Sequence, residues 1–162
     1  MTPLTPNPPA TAEELSAFFR SADDYYLTKW PSKRAAKLRF AGLNWAVLLV
    51  GPLWFLYRRL WKGAVFCYLV EFGMTAVLSG LSFLKLLVLF RLLLWLCANS
   101  YYLWTAARII SAVRSESLPH GAYLERLKAL GGTSETAVVV GITINVIIAV
   151  VSIGLKSAQS AV

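Results

Sequence analysis

Long apolar runs bounded by basic residues are the feature that most constrains this sequence. Runs at about 63–80, 84–104 and 137–155 approach the roughly 20 residues that a helix needs to cross a bilayer. Only 15% of the 162 residues are charged, against about 25% in an average soluble domain. Because so few polar groups cannot cover a soluble surface, the composition nearly excludes a soluble enzyme and predicts an all-α integral membrane protein.

The net charge of +8 does not indicate nucleic-acid binding, because the Lys and Arg residues flank the apolar runs. In that position they set membrane topology and contact anionic lipid. Cys67 and Cys97 both lie inside apolar runs, which argues against a disulfide framework or a zinc site. His120 is the only histidine, and no catalytic motif accompanies it. We therefore expect no catalytic residue, cofactor or metal.

The N-terminal region predicts a tail followed by an amphipathic helix. Residues 1–10 hold four prolines and read as a disordered tail. Thr11 and Glu14 have capping-box spacing, and the helical pattern continues over 12–29 within a cytoplasmic region, 11–39, that ends in a basic stretch. The helix lacks the basic face of a lipid-binding helix. Its apolar face should therefore cover the chain itself or, as the alternative, dock a partner: Leu15, Phe18, Phe19, Ala22, Tyr25 and Tyr26.

The next segment, 40–62, is apolar but is broken by Gly51-Pro52 and has basic residues at both ends. Proline removes a backbone hydrogen bond and clashes with the preceding turn. If the segment spans the membrane, the Lys and Arg residues divide almost equally between the two sides. If it re-enters, all 16 Lys and Arg residues but three lie on the N-terminal side. The three exceptions are Lys85, Arg91 and Lys156. The positive-inside rule favours a segment that re-enters or lies in the interface over one that spans.

This topology leaves a transmembrane hairpin at 63–104, a cytoplasmic loop at 105–136, a last span at 137–155 and a tail at 156–162. The N-terminus is then cytoplasmic. Pro119 and Gly131 bound a short helix that is predicted within the loop. On the last span, small or polar residues share one face that would allow close helix packing: Gly141, Asn145, Ala149 and Ser152.

Glu71 and Arg91 lie equally far from residue 81, the centre of the turn between the hairpin helices. Both therefore fall near the middle of the bilayer, where an unpaired charge costs several kcal/mol. Opposite charges at one depth predict an ion pair that fixes the register of the hairpin. A role in moving ions or protons is the alternative.

One set of residues resembles a known family. The set comprises residues 22–30 with Asn44, Trp45, Gly51, Pro52, Trp54, Tyr57, Arg58 and Arg59. It is similar to the core of a widespread bacterial family of small integral membrane proteins, catalogued only as a domain of unknown function. The similarity covers about 22–70 and the region 99–102. It implies a location in the bacterial inner membrane and nothing about activity.

Three classes of function remain open on the sequence. The first is a non-enzymatic accessory or scaffold protein that acts through helix–helix contacts, as a homo-oligomer or with a membrane-protein partner. The second is a small transporter, channel or holin-like pore, and the third is an immunity protein against a membrane-targeted toxin. In each case the bilayer itself, with anionic lipids on the basic side, is an expected partner.

Overall fold

The computed structural model describes residues 10–20, 42–78 and 80–160, which form helices and short connections with no strand. The predicted all-α class is therefore confirmed. The helices of these residues are α1 (Ala12–Phe19), α2 (Trp45–Val50), α3 (Pro52–Tyr57), α4 (Trp61–Val77), α5 (Gly80–Arg114), α6 (His120–Leu130) and α7 (Glu135–Ser160).

Within the described residues, two helical stretches are long and apolar enough to cross a membrane, Gly80–Arg114 and His120–Val150. The second is interrupted after α6 at residues 131–134, so its apolar part is α7. Only 11% of each apolar window is buried inside the chain. A core helix of a soluble protein would be mostly buried, so these helices favour a membrane protein. The remaining predicted span, 63–80, corresponds to α4, whose 17 residues extend about 26 Å.

Helix α1 begins as the sequence predicts and ends ten residues earlier than predicted. Thr11 N–H donates to Glu14 Oε2 at 2.6 Å, and Glu14 N–H donates to Thr11 Oγ1 at 3.2 Å. Arg20 then adopts a left-handed conformation (φ 50°, ψ 16°) and closes the helix on Ser16 O. The predicted helix over 12–29 is therefore wrong at its C-terminal end. Ala22, Tyr25, Tyr26 and the basic stretch up to residue 41 lie outside the described residues, as does the tail up to residue 9.

The apolar face of α1 is covered by the chain itself. Leu15, Phe18 and Phe19 are each only 2% exposed. The rings of Phe18 and Phe19 lie 6.2 and 5.3 Å from the ring of Tyr102 on α5. Gly132 N–H donates to Phe18 O at 2.8 Å, which fastens the end of α1 to the turn after α6. These three side chains are therefore not available as a docking face.

Helices α2 and α3 fold back on each other at Gly51. Gly51 has φ 53° and ψ −123°, a conformation that L-residues other than glycine avoid, and Pro52 is the first residue of α3. Asn44 N–H, before α2, donates to Trp95 O of α5, and the Trp54 ring of α3 lies 5.8 Å from that of Tyr102. Both arms of the turn thus contact the middle of α5.

Helices α4 and α5 form an antiparallel hairpin. Arg91 Nη2 lies 2.8 Å from Glu71 Oε1. Nearer the open end of the hairpin, a Cβ added to Gly63 would lie 3.0 Å from the Tyr101 ring. Two contacts in nearly the same register, two to three turns apart, establish the antiparallel pairing.

The predicted loop over 105–136 is wrong in its first ten residues, because α5 continues to Arg114. Ala106, Ile110 and Val113 are at most 1% exposed. Helices α1 and α6 cover this extension, so it is a packed helix and not a loop. The short helix expected after Pro119 is α6, and its C-cap is Gly131, where the sequence predicts the helix to stop.

Replacing Gly51 with alanine should destabilise the fold. A Cβ at position 51 requires strained backbone angles and overlaps the Arg91 guanidinium. We expect a loss of about 1–3 kcal/mol in the free energy of unfolding, measured in detergent. Gly73, inside α4 with open space around it, is the matched control, and Gly73→Ala should stabilise by about 0.5–1 kcal/mol. Equal effects of the two substitutions would contradict the role given to Gly51.

Candidate functional site

The candidate site is the polar group at the centre of helices α2 to α5, formed by Glu71, Arg91, Gly51, Asn44 and Asn99. The structure brings the predicted pair, Glu71 and Arg91, together at 2.8 Å. Their side chains are 18% and 20% exposed. A pair of opposite charges in contact is far less costly in hydrocarbon than either charge alone.

Arg91 also lies against the Gly51 turn. Its guanidinium occupies the space that a side chain at position 51 would fill. Nη1 is buried and has no hydrogen-bond partner among the described residues. The α2–α3 turn and the α4–α5 hairpin therefore meet at one cation, and the absent side chain of Gly51 permits the approach.

Two buried asparagines hold the start of the α2–α3 segment. Asn44 Nδ2 donates to Asn99 Oδ1 at 2.7 Å, and Asn44 Oδ1 accepts from Val47 N–H at 3.0 Å, which caps α2. Asn99 Nδ2 reaches the carbonyls of Gly42 and Leu43 at 3.2 and 3.3 Å. The two side chains are only 6% and 3% exposed, so these hydrogen bonds satisfy amides that burial would otherwise penalise.

Two residues of the family-like motif, Trp54 and Arg58, lie against Tyr102, which is completely buried. The Trp54 ring lies edge-on to it, and Arg58 Cζ lies 5.5 Å from its ring centroid. Arg58 Cζ is also 5.4 Å from the Tyr57 ring. The Trp45 ring is 62% exposed and lies 4.8 Å from that of Trp95. The motif therefore packs α2 and α3 against α5.

Arg59 ends the segment with a left-handed conformation (φ 58°) and donates from Nη1 to Ala129 O at 2.9 Å. Ser134 N–H donates to Tyr57 O at 2.9 Å. These two hydrogen bonds tie the end of α3 to α6 and to the start of α7.

A second ion pair fixes α1 to the end of α5. Both Glu14 oxygens accept hydrogen bonds from Arg114, and Oε1 also accepts from the Tyr123 hydroxyl. Burial alone would raise the pKa of Glu14, but the hydrogen bonds from Arg114, Tyr123 and Thr11 outweigh it and lower that pKa to about 2. Burial and the hydrogen bond to Glu14 raise the pKa of Tyr123 to about 12. The cluster therefore keeps one charge state throughout the neutral range.

The predicted packing face of α7 is only partly used within the chain. A Cβ on Gly141 would overlap Leu53 and Leu56 of α3. Asn145 Nδ2 donates to the Tyr68 hydroxyl at 3.0 Å and to Gly141 O at 2.9 Å. Ala149 is exposed, and the side chain of Ser152 lies outside the description. The chain thus buries Gly141 and contacts Asn145, which stays exposed.

Sequence reasoning missed three of these contacts. It singled out Asn44 without its partner Asn99, and it treated Tyr102 only as part of a similar region. It did not connect Glu14 with Arg114 and Tyr123. Hydrogen-bond partners 55 to 109 residues apart leave no periodic signal in a single sequence. Among the described residues no group of three or more His, Cys, Asp or Glu side chains could hold a metal ion.

The fold and these contacts define an all-helical protein with two helices able to cross a membrane. The model of the family described as "Protein of unknown function (DUF2628)" matches residues 12–108. This is more than half of the sequence, so the chain belongs to that family, and the resemblance noted from the motif is confirmed. The matched region runs from α1 into α5 and excludes α6 and α7. No curated protein and no solved structure matches the sequence.

Removing one partner of the Glu71–Arg91 pair should cost more than removing both. Glu71→Gln or Arg91→Met alone leaves a charge in hydrocarbon, with an expected loss of about 3–5 kcal/mol in the free energy of unfolding for a fully buried pair. The double variant should lose less than the sum of the single losses. Unfolding of all four proteins in one bicelle composition measures this coupling. Additive losses would show that the two residues act independently.

Proposed function

We propose that this protein is a non-enzymatic accessory or scaffold protein of the bacterial inner membrane that acts through helix–helix contacts. The charged groups at membrane depth support this proposal, because Glu71 and Arg91 are in contact with each other within one chain. Their charges serve the fold and need no substrate to balance them. The partner is a second membrane protein or a second copy of this chain.

The proposed topology has three spans, α4, α5 and α7, with α2 and α3 as a re-entrant pair and the N-terminus in the cytoplasm. Helix α1 is paired to Arg114 at the end of α5, and Arg59 is hydrogen-bonded to α6. The regions before and after the Gly51 turn thus contact the same end of the bundle. The charge distribution assigns that end to the cytoplasm.

The observation that carries the proposal is the partly covered face of α7. Gly141 and Asn145 contact the chain's own α3 and α4, whereas Ala149 on the same face is exposed. Its neighbour Val146 is 57% exposed. A small residue on an apolar helix lets a second helix approach closely, and association in lipid depends on such packing. The exposed face of α4 is bulky by comparison, with Phe66, Leu69 and Phe72.

A pore is the second candidate, and the buried Nη1 of Arg91 without a hydrogen-bond partner among the described residues favours it. A donor left unsatisfied in the fold would be available to a permeating anion or to water. No observation of this kind favours the immunity hypothesis. It would gain support only if the partner captured in the experiment below were a toxin.

A photo-crosslinking amino acid at Val146 should capture a discrete membrane-protein partner or a second copy in cells. The same probe at Leu69, which is 66% exposed on the bulky face, is the control and should capture no discrete protein. Ala149→Leu should weaken the Val146 adduct by filling the close-approach surface. Mass spectrometry of the adduct identifies the partner, and a toxin would favour the immunity hypothesis.

Absence of any adduct at Val146 would contradict the contact function. Reconstitution in liposomes supplies the independent measurement. Ion flux above the lipid background that disappears in the double variant Glu71→Gln with Arg91→Met, which keeps no unpaired charge, would favour the pore instead.

A further inference from the structure

A basic groove lies where α4 begins beside the second half of α5. Its volume is about 440 Å³, and three cations line it, Arg59, Lys62 and Arg108. Lys62 and Arg108 are exposed. None of the three forms an ion pair with an acidic residue in the part of the chain that the structure describes. No acidic side chain lines the groove.

Aromatic side chains complete the walls of the groove. Trp61 and Trp104 are 52% and 41% exposed. Arg108 Cζ lies 4.7 Å from the Trp104 ring centroid, which holds the guanidinium over the ring face. Exposed tryptophans beside basic residues are typical of the boundary between hydrocarbon and headgroups. One turn further along α4, Val65 and Phe66 are exposed apolar residues, so the groove continues into a surface suited to acyl chains.

Thr105 adds a hydrogen-bond donor at the same place. It lines the groove, and its Oγ1 is shielded from water with no hydrogen-bond partner among the described residues. A helical threonine ordinarily satisfies its hydroxyl on the carbonyl one turn earlier. This shielded hydroxyl lies next to cations that form no ion pair among the described residues. An acceptor oxygen bound there would satisfy it.

We propose that this groove binds the headgroup phosphate of an anionic glycerophospholipid from the cytoplasmic leaflet. Arg108 offers a planar guanidinium that matches phosphate oxygens, Lys62 adds a mobile charge, and Thr105 donates a hydrogen bond. The acyl chains lie along Val65 and Phe66. Basic pockets between transmembrane helices on the cytoplasmic side bind anionic headgroups in this way. This inference rests on the membrane placement proposed above and does not depend on the scaffold role.

The test is native mass spectrometry of the full chain, released from detergent after incubation with phosphatidylglycerol or phosphatidylcholine. The unchanged protein should retain phosphatidylglycerol in preference to phosphatidylcholine. Lys62→Gln with Arg108→Gln should weaken phosphatidylglycerol binding about tenfold or more. Arg126→Gln with Lys128→Gln is the matched control, because it removes the same charge on the same side from residues that pair with Glu116 and Glu125. The control should change binding by less than about twofold.

Thr105→Val is a variant that should still fold, because it preserves side-chain shape and breaks no hydrogen bond among the described residues. It should weaken phosphatidylglycerol binding about threefold while leaving the melting temperature unchanged. Equal losses in the groove and control pairs, or no preference for phosphatidylglycerol in the unchanged protein, would overturn the lipid site. Extraction of the protein from membranes by alkaline carbonate would instead overturn the membrane placement, so the two failures are distinguishable.

Discussion

A charge in hydrocarbon must be neutralised within reach of its side chain, and Arg91 meets this demand at the point where three segments converge. It contacts Glu71 of α4 and lies in the space left open by Gly51. The ion pair sets the register of the α4–α5 hairpin. The close approach to Gly51 sets the position of the α2–α3 turn along that hairpin. Moving α4 relative to α5 would separate the two charges, which costs several kcal/mol in a membrane.

The remaining contacts fasten this arrangement at the end of the bundle where α1 and α6 lie. Asn44 and Asn99 anchor the start of α2, Trp54 and Tyr102 pack α3 on α5, and Arg59 ties the end of α3 to α6. Helix α1 closes the same end through its ion pair with Arg114. The family-like motif thus serves the fold of the α2–α3 segment, and its two arginines face different neighbours.

The sequence predicted features that depend on adjacent residues, and it predicted one contact from equal spacing on either side of a turn. The capping box at Thr11, the break at Gly51-Pro52 and the stop at Gly131 each depend on a few adjacent residues. The placement of Glu71 and Arg91 around one turn predicted their contact. The end of α1 was not readable, because a left-handed arginine, unlike glycine, carries no local signal. The extension of α5 to Arg114 depends on cover from α1 and α6, which only the folded chain supplies.

The most direct test of this account is the side of the membrane on which residues before and after the Gly51 turn lie. In a background with Cys67 and Cys97 replaced by alanine, single cysteines at Ala12, Lys62 and Lys85 are labelled with an impermeant maleimide in intact spheroplasts and after lysis. The account predicts that Ala12→Cys and Lys62→Cys react only after lysis, whereas Lys85→Cys reacts in intact spheroplasts. Labelling of Lys62→Cys from outside while Ala12→Cys stays protected would show that the segment spans the membrane, and would contradict the account.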